Sequence, residues 1–384
     1  PRRSLPFSSP VVPRLRGTTG SSSKIPGVAT VVRPWMRWLI ARTQPLSDGL
    51  HFHPRRHPAA RDLEPMAKLG PLFRSSPRSF ALPLLMALAG CEPPPGQDVP
   101  DAYRYDITRL RDASVASTNW TEASQIPLSF RDPRAIATGA DGATYAAGDR
   151  AIVAIGPDGK EIWRCRLEEE PGALGVGPDG SLYVGLRHHV AVVDSAGKLT
   201  SEWVSLGERS VITSVAPGKD RVWVADAGSR KVAIFEPGGR LLGYLEPPEP
   251  FVAPSPFFDL AADTGGGVWV VNPGCLRVEH YSAEGKRTGH WGRPSMEPSG
   301  FAGCCNPIHV ALMGDGAFAT AEKGIPRVKA YAADGTLLDI IAGPGLFAED
   351  THGLDLAAGR AGAILVLDRE RRCIRVFTPR ENSP

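Results

Sequence analysis

Residues 316–335 read Gly-Ala-Phe-Ala-Thr-Ala-Glu-Lys-Gly-Ile-Pro-Arg-Val-Lys-Ala-Tyr-Ala-Ala-Asp-Gly: a glycine turn, a short apolar strand, a loop, a second apolar strand and another glycine turn. The same unit occurs six times from Pro133 to the C-terminus. Its first turns end at Gly142, Gly180, Asp220, Gly266, Gly316 and Gly362, in steps of 38 to 50 residues. The strand after each turn carries an aromatic at one register in four copies, at Tyr145, Tyr183, Trp223 and Trp269. A repeat of that period marks propeller blades, units that bury their faces only by stacking on one another. The expected fold class is all-β: a six-bladed β-propeller of four-stranded antiparallel blades.

The last copy supplies only three strands before the chain ends. An open edge there would leave unpaired backbone groups, and the apolar stretch Ile126–Phe130 just ahead of the first copy is the expected closing strand. The propeller is thus assigned to residues 124–380, with 91–123 as a tether and lead-in.

Net charge is +3, but it sums two unlike pieces. Residues 1–90 hold 14 Lys/Arg against 3 Asp/Glu, and the remainder holds 30 against 38, about −8. An acidic ring argues against a nucleic-acid partner. Residues 1–65, rich in Arg, Pro and Ser, lack the apolar periodicity that offsets ordering entropy, and are expected to be disordered or upstream of the true start at Met66.

Residues 66–90 combine Lys68, Arg74 and Arg78 with an apolar run from Phe80 to Leu88, then Leu88-Ala89-Gly90-Cys91. A charged start, a short apolar run and a small-residue cleavage site are the parts of a secretory signal, and the run is too short to span a bilayer. Ending in cysteine, the segment resembles a bacterial lipoprotein signal. That resemblance implies a lipid on Cys91 and a ring on the periplasmic face of the cell envelope, with Glu92 directing it to the outer membrane.

The register of turns and the glycine four residues after the second strand in five copies resemble NHL-repeat propellers over residues 126–380. Gly303-Cys304-Cys305-Asn306-Pro307 and the segment 322–329 are similar to an uncharacterised subgroup of bacterial NHL-repeat lipoproteins. The resemblance implies a monomeric ring that serves as an interaction platform.

A meander blade puts its second–third loops and blade-to-blade connections on one face. Asp149, Asp226, Asp368, Glu322, Lys323, Arg327, His309 and His352 are all expected on that rim, where Gly324 and Pro326 fix the direction of the charges around them. Cys275, Cys304 and Cys305 share the face. An oxidising compartment favours a staple between Cys275 and one of the adjacent pair. A copper or zinc site using Cys304, Cys305, His309 or His352, or a redox-active thiol, are the alternatives.

The leading functional expectation is a binding or scaffold module whose rim holds a protein, peptide or glycan, anchored to the membrane through Cys91. The alternatives are a lactonase-like hydrolase or lyase, with Asp149, Asp226, Asn272, Glu322, His309 and His352 around a divalent metal at the channel mouth, and a redox accessory protein using Cys304 and Cys305.

Overall fold

The computed structural model describes residues 119–348 and 351–380. The signal segment, Cys91, the tether as far as residue 118 and residues 1–65 lie outside the described residues. Six four-stranded antiparallel sheets follow one another, and the innermost strands of neighbouring blades touch all the way round. Five blades are plain meanders, such as blade five with strands His309–Leu312, Phe318–Glu322, Arg327–Tyr331 and Leu337–Ala342. Blade six joins Leu354–Ala358, Ile364–Asp368 and Cys373–Pro379 to the N-terminal strand Trp120–Pro127.

The closing strand therefore exists, but it runs from Trp120 rather than over Ile126–Phe130. Ile126 pairs with Ile374 and Trp120 with Pro379. The strand is outermost and mostly exposed, so its sequence carries no apolar alternation. Its one large buried anchor is Trp120, 8% exposed in the cluster between blades five and six.

The core is divided into six apolar clusters, one at each blade-to-blade interface. Alternate residues of a strand feed opposite interfaces, which follows from the two-residue side-chain period. Trp223 faces blade four while Val222 and Val224 face blade two. The middle strands are accordingly largely buried, most fully in the apolar Ala151–Ile155, where all five residues are buried. The aromatic register supplies bulk to successive interfaces; where it lapses, at Ala319, the gap between blades five and six is filled by Trp120 and Phe347.

The glycine after the second repeat strand has two reasons to be there. Gly239 and Gly335 adopt positive φ, 89° and 82°. In addition, the preceding blade's outer edge sends an indole onto each: a Cβ at Gly239 would stand 2.4 Å from Trp203, and one at Gly335 2.5 Å from Trp291.

Candidate functional site

Each blade's innermost strand has one edge with no strand partner, and buried N–H groups there need acceptors from elsewhere. In blades three, four and six the acceptor comes from one equivalent position. Ala135, Ala173, Ser214, Asp259, His309 and Asp355 are equivalent, each lying opposite the residue two beyond the aromatic register. Ser214 Oγ accepts from Leu260 N at 3.1 Å, Asp259 Oδ2 from Val310 N at 2.8 Å and Asp355 Oδ2 from Ile136 N at 2.8 Å. Each carries the hydrogen bond to the next blade. The ring position is apolar in blades one and two and polar in blades three to six.

His309 lies between the two acids, with Nδ1 3.4 Å from Asp259 Oδ2 and 3.2 Å from Asp355 Oδ1. Neither contact is aligned as a hydrogen bond, so Nδ1 is a buried polar atom held by charge alone. Burial works against the imidazolium, but the Asp355 and Asp259 carboxylates outweigh it and hold His309 above the ordinary histidine range. Burial, aided by Asp259 and opposed by His309, pushes Asp355 up to about 6. This cluster was half legible in the sequence: His309 was expected there, whereas Asp259 and Asp355 were not.

Three long connections stand over this side of the channel: residues 245–259, 292–308 and 343–353, against six residues between blades one and two. Phe257, in the first, packs against the His309 ring with centroids 5.9 Å apart, and the Lys323 ammonium sits 4.9 Å from the centre of the Phe257 ring. Lys323 Nζ also donates to Ser255 Oγ at 3.2 Å. Beside them, the buried side chain of Asn306 accepts from Lys323 N at 2.9 Å and donates to Lys323 O and Ala302 O at 3.0 and 2.6 Å. One asparagine thus fastens both ends of the Gly303–Cys305 bend to blade five.

Of the expected rim residues, His352 is open to solvent and Lys323 half-buried, whereas Glu322 and Arg327 are 1% and 3% exposed and face the protein. This corrects their expected role toward a ligand. Glu322 accepts from Arg327 Nε at 2.8 Å, lies 2.6 Å from Lys329 Nζ and takes Ala302 N at 3.2 Å. Lys329 is fully buried, donates to Pro298 O and Gly300 O, and rests against the rings of Phe301 and Tyr331. Burial, opposed by Glu322, pulls its ammonium down to about 8. Glu322 and Lys329 thus hold the connection 292–308 in place, with Arg327 paired to Glu322.

The rim aspartates serve the same end. Asp149 accepts from Arg131 N and Asp132 N, and Asp226 from Val211 N, in each case tying the incoming connection to its own blade. Backbone N–H bonds, that of Arg131 foremost, hold Asp149 below the usual carboxylate range. Asp368 is buried against Arg371 and Arg375. Asn272 takes Val252 N.

All five described cysteines are free thiols, so the expected Cys275 staple is not formed; Cys305 and Cys304 instead face each other. Among the described residues no three His, Cys, Asp or Glu side chains are placed to hold a metal ion. Of the expected ligands, Asp149, Asp226 and Asn272 are taken by backbone N–H groups and Glu322 by Arg327 and Lys329, so these four are already engaged and do not suit the divalent metal of the lactonase-like expectation.

No protein-family model matches the chain, and no curated protein matches it. Solved structures do. A streptogramin B lyase structure is similar at 11% identity, TM-score 0.50, over 67% of this chain and 97% of that one. The fold is shared. The WD40 repeats of RRP9 align at 13% identity, TM-score 0.51, over 67% and 97%, and a structural-genomics protein of unknown function from Bacteroides thetaiotaomicron VPI-5482 at 16%, TM-score 0.51, over 68% and 72%. The ring is a six-bladed β-propeller with neighbours of the NHL and WD40 type.

Proposed function

We propose that the chain is a tethered binding module, held at the bacterial cell envelope by a lipid on Cys91, whose connection face docks a partner polypeptide. What carries this reading is the one-sidedness of that face. The three longest connections are consecutive, and four successive connections each present one large apolar side chain to solvent: Val204, Val252, Met296 and Leu346, 36–62% exposed. The opposite face is made of short hairpins, several of them Asp-Gly turns whose aspartates, Asp158, Asp179 and Asp334 among them, cap their own turns. An apolar residue displayed on four successive connections of one face suits a polypeptide better than a glycan, which is recognised by polar groups and flat aromatic faces. Buried ion pairs beneath the loops make the platform rigid, so little ordering entropy is lost on binding.

The test is the full chain with Val252→Glu, Met296→Glu and Leu346→Glu together, expressed in its native host. The reading expects an unchanged thermal midpoint and loss of the complex that the parent chain forms on a sizing column. A complex that survives the triple change, or a parent chain that runs only as a monomer, contradicts it.

A further inference from the structure

The sulfur atoms of Cys304 and Cys305 are 3.2 Å apart. A disulfide would close them to about 2.05 Å, and two thiolates on one tetrahedral zinc would stand about 3.8 Å apart at the usual Zn–S length. The observed separation is direct thiol–thiol contact. The two residues differ in access: Cys304 is exposed and Cys305 is 6% exposed. The bend that carries them is fastened at Ala302 and Asn306, so the sulfurs are presented from a fixed mount. Lys323 and Ser255 flank the inner thiol; burial and Cys304 hold that thiol above its ordinary value, and the ammonium and the hydroxyl offset only part of the rise. Cys165 and Cys373 are buried in other blades.

We propose that Cys304 and Cys305 form a vicinal dithiol for thiol–disulfide exchange with a small solvent-borne disulfide, Cys304 attacking and Cys305 resolving. In the first step the Cys304 thiolate attacks one sulfur of R–S–S–R; that S–S bond breaks, RS⁻ leaves and a mixed disulfide forms on Cys304. In the second, the Cys305 thiolate attacks the Cys304 sulfur, a Cys304–Cys305 disulfide forms and the second RS⁻ leaves. The two thiol protons end on two RSH, and the incoming disulfide gains the two electrons that the pair loses. Lys323 assists the second step by stabilising the Cys305 thiolate. A disulfide between adjacent residues lies below the usual Cα separation, which suits a bond that is opened again rather than a permanent staple. The chemistry needs no docking partner on the connection face.

The experiment uses the reduced full-length chain, titrated with glutathione disulfide, quenched with iodoacetamide and mapped by peptide mass. The wild type is expected to lose two hydrogens on the peptide containing both cysteines, reversibly with dithiothreitol. Cys305→Ser is expected to stop at the mixed disulfide on Cys304. Cys304→Ser is expected to take up glutathione at least about tenfold more slowly, because its remaining thiol is buried. Lys323→Met is expected to slow closure of the pair while leaving the first step unchanged. Wild-type peptide mapping decides the matter even where a variant fails to fold. The proposal is overturned by a Cys304 that pairs with Cys275, by a wild type that accumulates only mixed disulfide, by equal reactivity of the two single variants, or by stoichiometric zinc or copper held by both thiols.

Discussion

The carboxylate of Asp355 in blade six accepts a hydrogen bond from the backbone N–H of Ile136 in blade one, at 2.8 Å, beside the seam where the ring closes. Its other oxygen faces His309. Asp355 is pushed up to about 6, against an unfolded value of about 3.9, so the folded chain binds this proton more tightly. The contribution is fully present below about pH 4 and is lost as pH rises through about 6. His309, also held above its ordinary value, contributes in the same direction at higher pH. Asp355→Asn keeps an acceptor for Ile136 and removes the titration. The thermal midpoint of wild type relative to this variant should therefore fall between about pH 4 and 6. A pH-independent difference would refute the linkage.

Gly335 cannot take a side chain without moving Trp291. The left-handed backbone costs an L-residue about 1–2 kcal/mol, and overpacking adds about 1–3. Gly335→Ala should lower unfolding free energy in urea by about 2–5 kcal/mol, while Gly316→Ala, whose Cβ would meet nothing within 4 Å, should show only the backbone part. Equal losses would mean that the indole contact is not the constraint.

Glu322 neutralises two buried cations at once. Removing one partner of a buried pair costs about 3–5 kcal/mol, and Glu322→Gln should fall in that range. The connection 292–308 should also open to limited proteolysis, since Lys329 holds its carbonyls at Pro298 and Gly300. Separately, Lys329 is depressed to about 8 against about 10.4 unfolded, so unfolding takes up a proton between those values and the folded chain gains stability as pH rises through them. Lys329→Met should lack that rise in a midpoint-against-pH series.

Cys91→Ser tests the tether. The variant should lose incorporation of a fatty-acid analogue and move from the membrane pellet to the soluble fraction; label retained on the variant would place the lipid elsewhere or remove it from the account.

The blades were legible because five of the six carry a glycine at the same turn and all need apolar residues facing two interfaces, and both constraints repeat in the sequence. Trp120–Pro127 was placed six residues late because an exposed outer strand owes its pairing to the backbone. Glu322 and Arg327 read as surface charges because Lys329, the second cation on Glu322, looks like an ordinary strand lysine; across the hairpin, however, Glu322 is paired directly with Arg327. Asp259 and Asp355 were missed although a signal existed. Aligning the six innermost strands brings Ala135, Ala173, Ser214, Asp259, His309 and Asp355 to one position, and the run of polar residues over four consecutive blades marks the channel cluster. The cysteine staple failed for a different reason, since spacing alone says nothing of which way two loops present their sulfurs.

The most direct test of the central claim is in-cell photo-crosslinking with the probe placed at Met296 on the connection face or at Asp334 on the opposite one, in the otherwise native full-length chain. A discrete polypeptide adduct from Met296 and none from Asp334 is the predicted result. Adducts of equal yield from both faces, or none from Met296, would contradict a docking face built from the long connections.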